Sequence, residues 1–106
     1  MSEKSGQIEA QGDLCQIVLD EIVDISGISA FRSQLLEVLQ GDKPVQLIAE
    51  KVERIDTAAL QVLSAFFQEA RSLDKSVGWQ NPSEALCYSA RLLGLEKIMS
   101  LETASV

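Results

Sequence analysis

Apolar and polar positions along this chain change period several times, and each change marks an element. Gln7-Ile8-Glu9-Ala10 alternates, Gln11-Gly12-Asp13 carries turn residues, and Leu14 to Leu19 alternates again. The pattern predicts a β-hairpin, with Gly12 supplying the positive φ of its turn. In the second strand Cys15, Ile17 and Leu19 share one face, and Leu14, Gln16 and Val18 share the other. Both faces are largely apolar, so this strand is expected at the centre of a sheet. Asp20-Glu21-Ile22-Val23-Asp24 reads as a solvated acidic loop. From about Ser26 the period lengthens: Ile28, Phe31, Leu35 and Val38 form one helical stripe, which Leu39 widens. Gly41-Asp42-Lys43-Pro44 ends that helix.

The second half repeats the strand–helix theme. Val45 to Ala49 is a second strong strand, and Glu50 to Arg54 reads as its solvated exit. Leu60, Leu63, Phe67 and Ala70 then line one face of a long helix, extended by Val62 and Phe66, with Gln61, Gln68, Glu69 and Arg71 on the wet side. Asp74-Lys75-Ser76 closes it, and Val77 to Gln80 is a short strand. Asn81-Pro82-Ser83 turns into a third helix capped by Ser83. Leu86, Ala90 and Leu93 are its expected inward stripe, and Gly94 suits the left-handed position after its end. Leu95 to Leu101 is apolar enough to predict a short last strand.

The order β-β-α-β-α-β-α-β predicts an α/β domain. Its mixed sheet would have about five strands, a hairpin plus parallel strands, packed with three to four helices that cover at least one face. The expected core includes Cys15, Ile17, Leu19, Val45, Leu47, Leu60, Leu63, Phe67 and Leu86. The 106 residues suit one domain, 1–106, with an ordered part at about 7–101.

Composition narrows the class. An apolar fraction of 46% is that of a globular chain. No apolar run approaches the ~20 residues that span a bilayer, and Met1 to Ser5 does not read as a signal peptide. Both point to a cytoplasmic protein. Cys15 and Cys87 are read as reduced core thiols. The net charge of −7, with nine basic residues scattered singly, disfavours nucleic acid and anionic membranes and favours a basic protein surface as partner.

Catalytic chemistry is poorly served. There is no histidine, so the commonest general base and the imidazole metal ligand are missing, and no Ser/His/Asp or Cys/His set can form. Neither G-x-G-x-x-G nor G-x-x-x-x-G-K-[ST] occurs. The three carboxylates of Asp20 to Asp24 lack EF-hand spacing, and two separated thiols do not make a zinc site. No enzyme activity, catalytic residue, metal or cofactor is expected.

What remains is the stretch Val52-Glu53-Arg54-Ile55-Asp56-Thr57-Ala58-Ala59-Leu60, around which the chain is organised. A strand has ended and a helix begins there, so the first free amides and the positive dipole end favour a small oxygen-bearing side chain. Either Asp56 or Thr57 serves as an ordinary cap, or the Thr57 hydroxyl is a regulated surface point. This stretch resembles the hydrophobic-Asp-Ser/Thr-x-Gly-Leu signature of the STAS domain, the fold of bacterial anti-sigma factor antagonists. Leu19 to Asp24, Trp79 to Ser83 and Leu92-Leu93-Gly94-Leu95 match further parts of that family, and the resemblance spans Leu14 to about Leu101.

The resemblance implies a phosphoacceptor at Thr57, a partner anti-sigma factor that is itself a serine/threonine kinase, and ATP held by that partner. It implies a partner-binding surface at Asp24, Asp56, Thr57, Ala58 and Ala59. Ala59 stands where the signature usually has Gly, and Asp20 replaces the usual Gly before the acidic loop. The Asp-Thr-Ala form also resembles the STAS subunit of phospholipid-transport ABC systems, in which the Thr contacts the ATPase subunit. Small STAS proteins in chemotaxis are a third resemblance.

Overall fold

The computed structural model describes residues 6–11 and 14–101; the Gly12 turn expected from the sequence lies outside them. β1 (Gly6–Gln11) pairs antiparallel with β2 (Leu14–Leu19), which pairs parallel with β4 (Val45–Ile48), and β4 pairs parallel with β6 (Val77–Gln80). The order β1-β2-β4-β6 makes β2 a central strand, as expected from its sequence. Two short strands, β3 (Ile22–Val23) and β5 (Arg54–Ile55), form a separate parallel ladder beyond the ends of β2 and β4. The domain is thus mixed α/β, its strands among the described residues divided four and two.

A 3-10 turn (Ile25–Gly27) leads into α1 (Ile28–Leu39); α2 (Thr57–Ser72) and α3 (Glu84–Leu92) are the other helices among the described residues. The amphipathic stripes fall inward as the period demands. Phe31, Leu35 and Val38 of α1 and Leu60, Leu63, Phe67 and Ala70 of α2 are buried against Ile17, Leu19, Val45 and Leu47 of the sheet. The opposite face of β2 and β4, where Gln16 donates to Gln46 at 2.9 Å, is only half-buried. Phe67 stacks on Trp79 with ring centroids 5.6 Å apart, and the Trp79 indole donates to the Met99 carbonyl at 2.7 Å.

Several sequence expectations are corrected. Leu95 to Leu101 forms no strand. Gly94 at φ 70° reverses the chain, and the Met99 amide then donates to the Leu95 carbonyl at 2.9 Å, closing a helical turn that buries Met99 and Leu101. The turn meets the apolar demand of this segment without a strand partner. Leu93 is 45% exposed because it falls at the C-cap of α3, where the helical phase is lost. Cys15 and Cys87 are half-buried free thiols beside the core rather than within it. Neither solvated loop is wholly solvated: Val23 and Val52 are buried, because β3 and β5 dock against the domain.

Candidate functional site

The site is built by two loops that end alike. Ile22-Val23-Asp24 and Arg54-Ile55-Asp56 each place an apolar residue before an aspartate and a helical segment. Pairing Val23 with Ile55 in parallel register brings Asp24 and Asp56, the next residue on each strand, to the same end of the sheet. The Glu53 and Arg54 amides donate to the Glu21 carbonyl at 2.8 and 3.1 Å, and the Asp56 amide to the Val23 carbonyl at 3.1 Å. Val23 and Ile55 are buried beneath, so the loops are held from both backbone and core. Sequence reasoning passed over this ladder; the repeated apolar-Asp step was its signal.

Each aspartate opens a helical segment. Asp24 Oδ1 accepts from the Ser26 amide at 3.1 Å and the Ser26 hydroxyl at 2.7 Å, fixing the 3-10 turn before α1. Asp56, in extended conformation, accepts from the Ala59 amide at 3.0 Å and is the N-cap of α2. The cap is therefore Asp56. Thr57 occupies the first helical position and is exposed, while Ala58 is half-buried. Ala59, the last of the expected partner-binding residues, is fully buried under the helix start. Both α1 and α2 begin at this pole, and their dipoles favour the carboxylates gathered there.

The arrangement presents an exposed threonine at a helix start, next in sequence to the capping carboxylate of Asp56, with Asp24 on the neighbouring loop. Among the described residues no group of three or more Cys, Asp or Glu side chains is placed to hold a metal ion. No helix among them is long and apolar enough to cross a membrane.

Fold and pole together define a small α/β interaction module that presents the start of one helix on an acidic surface. The chain belongs to the STAS domain family: the family model described as "Mlab, STAS domain" matches residues 7–102. STAS domains act in general as regulatory, protein-binding modules. No curated protein matches the chain in sequence. Among solved structures, the one titled "Crystal Structure Analysis of Mglu" is similar at a TM-score of 0.65 and 21% identity, over 76% of this chain and 20% of that one. At that identity the likeness shows the fold alone, and the chain spans only a fifth of that larger chain.

Proposed function

We propose that this STAS module docks a protein partner through the start of α2 and that phosphorylation of Thr57 releases it, as for an anti-sigma factor antagonist. One observation carries the reading. Asp56 caps the helix, so the Thr57 hydroxyl is left exposed with no capping duty. The partner is a serine/threonine kinase that brings ATP. Its γ-phosphoryl group moves to the Thr57 oxygen, ADP leaves, and the hydroxyl proton passes to a base of the kinase. The product carries about −1.5 to −2 added charges. Its own helix tolerates them, because a phosphate suits free amides and a positive dipole end. A partner fitted to a neutral hydroxyl beside Asp24 and Asp56 does not, since an unpaired buried charge costs several kcal/mol. On this reading the module works in the cytoplasm, where ATP is available.

A second reading is favoured by Asp56-Thr57-Ala58 and by the name of the matching family model. There the partner is the ATPase subunit of a phospholipid-transport ABC system, and Thr57 is a permanent contact that is never phosphorylated. A chemotaxis adaptor would use the same pole. Intact mass of the protein from its own cells, with pull-down by wild type, Thr57→Ala and Thr57→Glu, separates them. The switch requires a phosphate adduct lost in Thr57→Ala and a partner lost in Thr57→Glu. An unmodified Thr57 with a co-purifying ATPase selects the second reading.

A further inference from the structure

The seam between α1 and α2 is an apolar groove that opens at the Thr57 pole. Both helices follow parallel strands, so they run parallel and side by side from that pole. Ile28 and Ala58, near the two helix starts, and Leu36, Ala65 and Phe66, further along, line it. The groove has a volume of about 480 Å³, and Leu36 in its wall is 50% exposed. Arg32 on α1 and Glu69 on α2, one charge of each sign, also line it. The strong charge lies in the loops 20–24 and 50–56, which lead into α1 and α2 and together carry six carboxylates against Lys51 and Arg54.

We infer that this groove receives an amphipathic helix of the protein partner, its apolar stripe on Leu36, Val62 and Phe66 and a lysine- or arginine-rich end over the acidic pole. A helix suits the site because a seam between two parallel helices offers ridges and grooves that a third helix can fill. From Ala58 to Glu69 the floor is about 16 Å long, at ~1.5 Å per residue, which matches about three helical turns. Charge decides between occupants. A second copy of this chain brings another net −7 and its own acidic pole, and an anionic membrane is repelled in the same way. A basic helix is attracted, and its far end reaches past Thr57. The inference extends the docking reading above by adding a second contact, separate from the hydroxyl.

The test places the photo-crosslinker p-benzoylphenylalanine in place of Leu36 in the full chain, irradiates cells, and maps the adduct by mass spectrometry. The expected adduct is a segment of another protein with apolar residues at helical spacing and Lys or Arg at one end. A synthetic peptide of that segment should bind wild type. It should bind Leu36→Asp, or the pair Glu21→Lys and Glu53→Lys, at least about tenfold more weakly, a change of about 1.4 kcal/mol. Leu36, Glu21 and Glu53 are exposed, so these variants should keep the fold, which circular dichroism checks. No adduct, an adduct with a second copy or a lipid, or a mapped segment that is acidic or extended overturns the inference. The two readings also fail separately. If Thr57→Glu releases the partner while Leu36→Asp holds it, the groove is refuted and the switch stands. The reverse result refutes the switch and leaves the groove.

Discussion

If Asp56 alone caps α2, then Asp56→Ala and Thr57→Ala should differ sharply although the residues are adjacent. Asp56→Ala removes the acceptor 3.0 Å from the Ala59 amide and a carboxylate at a positive helix end. Losing such a cap costs about 0.5–2 kcal/mol. Thr57 is exposed, so Thr57→Ala should stay within about 0.5 kcal/mol of wild type. Thr57→Glu adds a favourable dipole interaction of about 0.3–1 kcal/mol, offset by repulsion from Asp24 and Asp56, and should also leave stability nearly unchanged. For a domain of this size 1 kcal/mol shifts Tm by about 4–8 °C. Urea melts and thermal scans would therefore resolve Asp56→Ala from both Thr57 variants, and Asp56→Asn, which keeps an acceptor, should fall between. If Thr57→Ala costs as much as Asp56→Ala, the hydroxyl is structural and is not left for a partner.

Leu63 is fully buried, so Leu63→Ala should lose about 2–5 kcal/mol by urea unfolding; a loss below ~1 kcal/mol would refute the assigned phase of α2. Gly94→Ala places a Cβ at φ 70° and should lower stability by about 1–2 kcal/mol, although the space around it is open; an unchanged melt would mean the chain reverses elsewhere. Trp79→Phe keeps the stack on Phe67 but leaves the Met99 carbonyl without its donor, at a cost of about 1–3 kcal/mol. Burial pushes the Cys87 thiol above its ordinary value; Arg91 partly offsets this, and Glu96 and Glu84 add to it. The folded protein then holds that proton more tightly than the unfolded chain, so stability falls as pH rises from the unfolded thiol pKa through the folded one. Cys87→Ser should flatten that alkaline decline, and alkylation of Cys87 should need a higher pH than alkylation of a free thiol.

Much of the domain could be read from local pattern because helix stripes and strand alternation are properties of neighbouring residues. Phe31, Leu35, Leu60, Leu63 and Phe67 are buried where the period put them, and Gly94 takes the left-handed position its place after a helix required. The central place of β2 was expected from its sequence, as was the place of Asp56-Thr57 at the junction of strand and helix.

Other features depended on groups far apart in sequence. Whether Leu95 to Leu101 became a strand or a turn depended on what lay nearest: the turn buries Met99 and Leu101 and offers the Met99 carbonyl to Trp79. Val23 and Val52 looked solvated among charged neighbours until β3 met β5 across 32 residues, bringing both loops down onto the core. That same ladder brought Asp24 and Asp56 to the same end of the sheet, where Asp56 caps α2 and Thr57 is left exposed. The α1–α2 groove is likewise a product of packing. Each stripe specifies which side of its helix faces the sheet, but only the spacing of the two helices on that sheet determines how much apolar surface stays open between them.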